Sequence, residues 1–241
     1  GLTANTSYDV YVQADCGSDQ SPWIGISFTT ECDAVADISE DFDADASLPD
    51  CFSTTVDGAN AFAEVLDATT NGNNGSNFVR LRKFQDTEAA ILILPPVTTL
   101  GDNYRLKFNV NNFTGEGSAI MNVGTIDGDG NFISFQEITI SSNSVWESQT
   151  IDFSTYAGTA TKIAITAGYN ATSNSNNQYS DTHIDDVVWE QIPSCTEPSG
   201  LTASSITTVS ANLSWTAGAD ETNWNVEYGE TGFTQGAGST Q

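Results

Sequence analysis

Positively charged residues are scarce in this chain of 241 residues, which has six lysines and arginines against 32 aspartates and glutamates. The resulting net charge of −26 makes nucleic acid phosphates and anionic lipid headgroups unfavourable partners. The chain also has one histidine and no Cys-x-x-Cys pair, so it lacks the usual ligands of a zinc site. Divalent cations are the ligands that this charge favours.

Long apolar runs are missing as well, and we expect no direct membrane insertion. The chain opens with Gly1-Leu2-Thr3 instead of a methionine and a basic segment, which predicts an internal piece of a longer protein. Four cysteines without metal-site spacing favour disulfides. Because asparagine, serine, threonine and glycine are also abundant, we predict an extracellular protein, either secreted or held at the cell surface.

What the chain does contain is a series of short segments in which apolar and polar residues alternate. Ile151 and Phe153 alternate with polar neighbours, as do Ile163 and Ile165, and this period of two is typical of half-buried strands. Similar segments recur at near-regular spacing, separated by glycine and asparagine turns. Residues 31–192 are therefore predicted to form an all-β sandwich or jelly roll.

The two ends of the chain resemble complementary halves of one kind of domain. Residues 1–30 have Leu2, Thr6 and Tyr8 at the spacing of a tyrosine corner, which resembles the final strands of a fibronectin type III domain. Residues 193–241 resemble the opening strands of such a domain. We interpret the chain as part of a tandem array, in which a jelly-roll β-sandwich is flanked by two partial fibronectin type III (Ig-like) sandwiches.

The middle module, residues 31–192, resembles the MAM-like and cleaved-adhesin jelly rolls of large secreted surface proteins from Bacteroidetes-type bacteria. Segments that carry this resemblance include Ser39-Glu-Asp-Phe-Asp, Leu48-Pro-Asp-Cys-Phe and the closing His183-Ile-Asp-Asp-Val-Val-Trp-Glu. The resemblance implies a non-enzymatic adhesin or structural segment that functions in cell adhesion. Its expected partners are neighbouring repeats of the same chain or copies of itself, together with surface glycans.

Paired acids occur in the first and last of these segments. If Phe42 points into the core, Asp41 and Asp43 share the opposite face of the first strand. The resemblance implies that the first and last strands are neighbours, and MAM-like domains also carry an aspartate in a stretch similar to that around Asp67. Calcium takes roughly six to eight oxygens, so carboxylates from two strands plus backbone carbonyls would suffice. We predict a structural calcium ion, Ca²⁺, with five candidate ligands: Asp41, Asp43, Asp67, Asp185 and Asp186. Chance clustering in so acidic a chain is the alternative.

Two other patterns have plain structural explanations. Asp127-Gly-Asp-Gly-Asn has alternating oxygens, but Phe132 and Ile138 stand where an EF-hand needs glycine and glutamate, so a hairpin turn is predicted. His183 is expected to be partly exposed at a strand end. No nucleophile elbow accompanies it, and catalysis is the least favoured hypothesis.

The asparagine-rich loop of residues 168–181 is the best candidate for ligand contact. Tyr169 and Tyr179 could stack on sugar rings while asparagine and glutamine side chains bond to hydroxyl groups. An ordinary surface insertion is the alternative. A carbohydrate-binding module of a secreted polysaccharide-degrading enzyme is therefore our second hypothesis.

The domain division also predicts the cysteine pairing. Cys32 and Cys51 both belong to the start of the jelly roll, whereas Cys16 and Cys195 belong to different fibronectin-like domains. We predict a Cys32–Cys51 disulfide, with Cys16 and Cys195 unpaired to each other. Closing a loop of this length stabilises the fold by about 3 kcal/mol in the chain-entropy model.

Overall fold

The computed structural model has 17 β-strands and describes residues 1–67, 73, 76–84, 87–112, 119–141, 145–168, 180–195, 197–218, 221–234, 236 and 238–240. Two compact units are present, Gly1–Gln191 and Ile192–Gln241. Among the described residues, no helix has the length and apolar character needed to cross a membrane. The predicted all-β class is confirmed.

The first unit contains a two-stranded hairpin and two larger sheets. The hairpin pairs β1 (Ser7–Val12) with β2 (Ile24–Thr29). The first large sheet has the spatial order β10 (Phe132–Ile140), β9 (Ala119–Ile126), β12 (Lys162–Thr166), β7 (Ala89–Ile93) and β4 (Ser53–Asp57). The second has the order β11 (Glu147–Asp152), β8 (Tyr104–Asn112), β13 (Ser180–Gln191), β6 (Phe78–Lys83) and β5 (Phe62–Leu66), with β3 (Ile38–Glu40) added to β13. These antiparallel sheets form the predicted jelly-roll β-sandwich.

One hydrophobic core joins the two large sheets. Ile151, Phe153, Ile163 and Ile165 are all buried, as predicted, but Ala164 is buried as well, so β12 is not the half-buried strand that was expected. Each fully buried isoleucine or phenylalanine contributes roughly 1.5–3 kcal/mol. Both sheets supply further members of the same cluster: Val79, Leu81, Leu92, Leu106, Phe108, Val110, Met121, Val123, Ile184 and Trp189.

The first and last strands of the sandwich are neighbours, as the resemblance implied. β3 pairs antiparallel with β13, so that Glu40 is opposite Val187. Phe42 is buried, as expected, but β3 ends at Glu40 and Phe42 has a left-handed φ of 56°. The strand alternation invoked for Asp41 and Asp43 is therefore wrong. Both residues lie in a turn beyond the strand, where the Asp43 N–H donates to Asp41 Oδ1 at 3.1 Å.

A tight turn joins β9 and β10, and the hairpin predicted there is confirmed. The Asp127 N–H donates to the Asn131 carbonyl at 3.0 Å. In return, Asp127 Oδ1 accepts the backbone N–H groups of Asp129 and Asn131 at 3.0 and 2.8 Å. These hydrogen bonds lower the pKa of Asp127, and the bond from Asn131 has the largest effect. The carboxylate thus organises the turn.

The Cys32–Cys51 disulfide is confirmed, with a Cα–Cα distance of 5.9 Å. It joins the segment before β3, in one large sheet, to the segment before β4, in the other. Cys16 and Cys195 are exposed and form no disulfide. The bridge therefore links the edges of both layers of the sandwich.

The second unit consists of two short ladders. β14 (Ser199–Ser204) pairs with β15 (Asn212–Thr216), and β16 (Glu227–Tyr228) pairs with β17 (Ser239–Thr240). The Trp215 and Trp224 rings meet edge to face at 5.6 Å beside a groove of about 390 Å³. The β1–β2 hairpin belongs to the first unit, and the division into 1–30, 31–192 and 193–241 stays a prediction.

Candidate functional site

The paired aspartates of the closing strand lie at a β-bulge. Asp185 is opposite Asn109 of β8, and the register with β8 shifts between Asp185 and Val188. Asp186, in the bulge, has a left-handed φ of 51°. A bulge re-aims side chains locally, and here it leaves Asp185 fully buried and Asp186 exposed.

Polar groups from two other segments of the chain converge on these carboxylates, namely the segment before β6 and strand β8. The Ser76 hydroxyl donates to Asp185 Oδ2 at 2.9 Å. Asp186 Oδ2 accepts the side-chain amides of Asn73 at 2.5 Å and Asn109 at 2.7 Å. The hydrogen bonds tie the segment before β6, which contains Asn73 and Ser76, to β13.

Asp43, in the turn after β3, completes the arrangement. Its Oδ1 accepts the backbone N–H of Asn77 at 2.7 Å, which holds this turn against the start of β6. The negative charge of Asp43 is close enough to Asp185 to raise the pKa of that carboxyl group. We call Asp43, Ser76, Asp185 and Asp186 the acidic cluster.

Burial dominates the electrostatics of the acidic cluster. It raises the pKa of Asp185 to about 7, although the Asp186 N–H and the Ser76 hydroxyl stabilise the charged form. The charges of Asp186 and Asp43 raise this pKa further. A cation placed among these groups would have the opposite effect, because it favours the ionised carboxylate.

The chemistry of the acidic cluster suits a hard cation. All of its candidate ligand atoms are carboxylate or hydroxyl oxygens, which calcium prefers and zinc uses less. Within the described part of the chain, no group of three or more His, Cys, Asp or Glu residues has a metal-binding arrangement. A cation here would therefore need neutral oxygens besides the carboxylates, and Ser76 offers one.

The predicted metal ligands are not all brought together. The charges of Asp43 and Asp186 act on Asp185, whereas Asp41 accepts a hydrogen bond within its own turn and Asp67 is exposed just after β5. No hydrogen bond or ion pair joins Asp67 to the cluster among the residues described. Sequence reasoning missed the polar partners Asn73, Ser76, Asn77 and Asn109. The asparagine-rich run of residues 71–77 was the available signal for the first three of these residues.

His183 is buried, so the expectation that it would be partly exposed is wrong; it is the fourth residue of β13, near the end at which the strand begins. Its ring stacks on Phe78 at 4.2 Å and lies 6.3 Å from the Trp146 ring. Its Nε2 is 3.4 Å from Asp181 Oδ1. At His183, β13 pairs with β6 on one side and with β8 on the other.

Two arginines beside His183 were not anticipated as site residues. Arg80 forms an ion pair with Glu64, and Arg82 forms one with Asp181. Both guanidinium groups lie over the Phe62 ring, at 4.8 and 4.7 Å from its centroid. The alternation in Phe78-Val-Arg-Leu-Arg, with every second residue polar or aromatic, was the available signal.

Tyr169 and Tyr179, the predicted sugar-stacking residues, lie outside the described residues. The chain on either side of them is well anchored. Gly168 donates its N–H to Thr182 Oγ1 at 2.7 Å, and both residues are buried. Contact between this loop and a glycan stays a prediction.

No protein-family model and no curated protein matches the sequence. The structure is similar to the K1 cleaved adhesin domain of Lys-gingipain from Porphyromonas gingivalis, with 19% identity, a TM-score of 0.50 and coverage of 66% of this chain and 99% of that one. The covered part of the chain shares its β-sandwich fold with this adhesin domain.

Two further solved structures match less closely. The K3 cleaved adhesin domain of Lys-gingipain, from the same organism, has 16% identity and a TM-score of 0.46, with coverage of 64% and 97%. The CBM22-1 xylan-binding domain from Paenibacillus barcinonensis has 12% identity and a TM-score of 0.44, with coverage of 66% and 97%. The fibronectin type III and MAM-like resemblances stay predictions.

Proposed function

We propose that this chain is a non-enzymatic extracellular adhesin segment of a long tandem-repeat protein, and that calcium braces its sandwich. The fold shared with the cleaved adhesin domain of Lys-gingipain supports the adhesin part. The observation that carries the calcium part is the burial of Asp185 beside Asp43 and Asp186. The charges of Asp186 and Asp43 disfavour the ionised form of the buried Asp185 unless a proton or a cation compensates.

Calcium would be held by the Asp43 and Asp185 carboxylates and the Ser76 hydroxyl, with backbone carbonyls or water completing the shell. Asp186, whose Oδ2 already accepts two amide hydrogen bonds, would support the site from the side. The ion would join the turn after β3, the segment before β6, and β13. A cation that binds only the folded state stabilises it, by about 2.7 kcal/mol at a free concentration of 100 Kd.

The melting temperature of the full chain, measured with calcium and with a chelator, tests this role. We expect calcium to raise the melting temperature, and Asp185→Asn or Asp43→Asn to abolish the increase. Asp57→Asn is the matched control, because Asp57 is an exposed carboxylate on β4 in the other sheet. An equal calcium effect in Asp185→Asn and in the unaltered chain would contradict the assignment.

We also propose that the β1–β2 hairpin and the second unit are parts of fibronectin type III domains, completed by adjoining repeats or by copies of the chain. Exposed apolar side chains support this proposal, among them Ile24 and Ile26 in the hairpin and Leu201 and Leu213 in the second unit. A two-stranded ribbon with such side chains in water is marginal by itself. Partner strands would cover these side chains.

A carbohydrate-binding module is the second candidate. The observation that favours it is the set of aromatic and polar side chains around His183, on the face of β6 and β13 that points away from the core. Rings beside planar hydrogen-bonding groups are typical of sugar sites. Binding of the full chain to an immobilised glycan array tests this role, and absence of any binding would leave the adhesin proposal alone.

A further inference from the structure

The β1–β2 hairpin has one polar face and one face of aromatic and aliphatic side chains. On the polar face, Ser7 is opposite Thr29 and their hydroxyl groups are 2.8 Å apart. Because side chains alternate along a strand, the residues between these positions form the other face. That face, which we call the apolar face, consists of three cross-strand pairs: Tyr8 with Phe28, Val10 with Ile26, and Val12 with Ile24. Most of it is exposed to solvent in the single chain.

The β14–β15 ladder of the second unit is divided in the same way. Thr202 is opposite Ser214 on its polar face, where the two hydroxyl groups are 2.7 Å apart. Ala203 is opposite Leu213 on the other face. Leu213 also lines the groove of about 390 Å³, together with further large apolar side chains: Leu201, Trp215, Trp224, Val226 and Phe233. The second unit therefore contains half of a hydrophobic core, and the groove is its open side.

Exposed large hydrophobic side chains are concentrated in these two regions. Among the described residues there are 19 of them, of which eight lie between Leu2 and Phe28 and seven between Leu201 and Phe233. Only four lie in the rest of the described chain. Contiguous apolar patches on a protein surface mark sites of interaction. The sandwich, by contrast, has few such side chains on its surface.

The two apolar surfaces complement each other in shape and in number. The hairpin presents protruding side chains such as Ile24 and Ile26 on a flat ladder, whereas the second unit presents a groove. Two ladders packed face to face form a dry layer about 10 Å thick, as in a β-sandwich. Each chain has one surface of each kind, so identical copies cover both kinds in equal numbers. Contact between two hairpins would leave the groove open.

Charge opposes this contact, which identifies apolar burial as its driving force. Neither residues 1–31 nor residues 192–241 contain a lysine, an arginine or a histidine, and both segments contain aspartates and glutamates. Two surfaces of the same sign repel each other, and salt screens that repulsion. Association between them is therefore expected to become tighter when salt is added.

Building on the proposal that both regions are incomplete domains, we infer that the apolar face of the hairpin in one copy of the chain docks into the groove of the second unit in another copy. Ile24 and Ile26 of the first copy pack against Leu201, Leu213 and Trp224 of the next. This contact joins two different surfaces, so each added copy still offers a free hairpin or a free groove. Copies of the chain thus assemble head to tail.

Sedimentation velocity of the full chain over a range of concentrations tests this inference. Six side chains form the apolar face, far fewer than the roughly 20–30 residues that each partner contributes to a stable interface, so a weak contact is expected. We expect the mean mass to rise with concentration up to about 500 µM and to exceed that of a dimer. More sodium chloride should increase it further. Association that salt weakens would overturn apolar docking.

One substitution on each surface tests which faces meet. Ile26→Glu in the hairpin and Leu201→Glu in the groove each alter an exposed side chain, so the fold should persist. Each variant alone should associate about tenfold or more weakly than the unaltered chain. The matched controls, Tyr11→Glu and Val209→Glu, add the same charge outside the two surfaces and should associate normally. Tyr11 is opposite Gly25 on the polar face of the hairpin, and Val209 is 92% exposed outside the groove.

Mixing the two variants separates head-to-tail contact from symmetric contact. Leu201→Glu keeps an intact hairpin and Ile26→Glu keeps an intact groove, so the mixture should form a one-to-one dimer that does not grow. This recovery also shows that both variants are folded. Self-association of Leu201→Glu alone at the level of the unaltered chain would indicate hairpin-to-hairpin contact and overturn the inference. A mixture that stays monomeric would overturn it as well.

Hydrogen exchange distinguishes failure of this inference from failure of the proposal on which it rests. If the unaltered chain stays monomeric at every concentration while its hairpin amides exchange rapidly, the inference is wrong but the hairpin is still incomplete, and adjoining repeats must cover it. If the hairpin amides are protected in the monomer, both are wrong, because the hairpin is then stable without another copy. The inference predicts protection that increases with concentration in the unaltered chain and not in Ile26→Glu.

Discussion

The β1–β2 hairpin and the sandwich contain the same kind of strand, but only the sandwich buries its apolar residues. Ile24 and Ile26 of β2 are 76% and 67% exposed, whereas Ile163 and Ile165 of β12 have no exposed surface. Both pairs alternate with small or polar residues. β12 lies between β9 and β7 and faces a second sheet, while β2 pairs with β1 alone. Alternation makes a strand amphipathic, and only a facing layer of side chains makes it a core strand.

Hydrogen exchange should show the largest difference between these two regions. Amides of β12 and β13 are expected to exchange only through global unfolding, and those of β1 and β2 through local opening. For a domain of ordinary stability, about 5 kcal/mol or more, the rates should differ by on the order of 10³-fold or more. Equally slow exchange in both regions of the dilute monomer would mean that the hairpin is stable without a partner.

Truncation of one tryptophan in each region gives the next largest contrast. Trp189→Ala removes a fully buried ring that contacts Tyr104 and Phe153, and should cost about 3–5 kcal/mol of unfolding free energy. Trp23→Ala, in the hairpin, should change it by less than about 0.5 kcal/mol. Urea unfolding followed by circular dichroism measures both. A comparable loss in Trp23→Ala would refute the contrast.

The cysteines provide a third comparison. Replacing both Cys32 and Cys51 by serine should cost about 3 kcal/mol, because the unfolded chain loses its cross-link. The control replaces Cys16 and Cys195 by serine, and we expect no measurable change because neither residue forms a disulfide. Urea unfolding of the two double variants would decide this, and equal midpoints would argue against a stabilising bridge.

The smallest expected effect is a pH dependence that belongs to the sandwich alone. The folded-state pKa of Asp185, about 7, is above its unfolded value, so its contribution to stability is fully present below about pH 4 and is lost as the pH rises through about 7. With a chelator present, we expect the unfolding free energy to fall by on the order of 1 kcal/mol between about pH 5 and about pH 8, since nearby solvent weakens the full shift.

Asp185→Asn is the matched variant for this pH effect, because it keeps the shape of the side chain and cannot ionise. Its unfolding free energy should depend less on pH over the same interval. Calcium should also reduce the dependence in the unaltered chain, since it stabilises the ionised carboxylate. If Asp185→Asn keeps the whole pH dependence, other carboxyl groups are responsible for it.

Local features of the fold were the most predictable from sequence. Alternation at Ile151, Phe153, Ile163 and Ile165 identified two buried strands, and the Asp127 pattern identified a hairpin turn. Both depend on residues close together in the chain. The end of β3 at Glu40 was not predicted, because the left-handed conformation of Phe42 has no sequence signal comparable to a glycine.

Composition and short-range pattern by themselves determined the acidity, the all-β class, the strands and the turns of this protein, since these follow from side-chain charge and from the two-residue period of a strand. Tertiary structure alone decided which polar residues meet. Asn109 reaches Asp186 across 77 positions, and the register of four strands that are remote in sequence aligns Glu64, Arg80, His183 and Asn111 in one cross-strand row. A shift of one residue in any of these strands would turn its side chains to the other face, which no local pattern reveals.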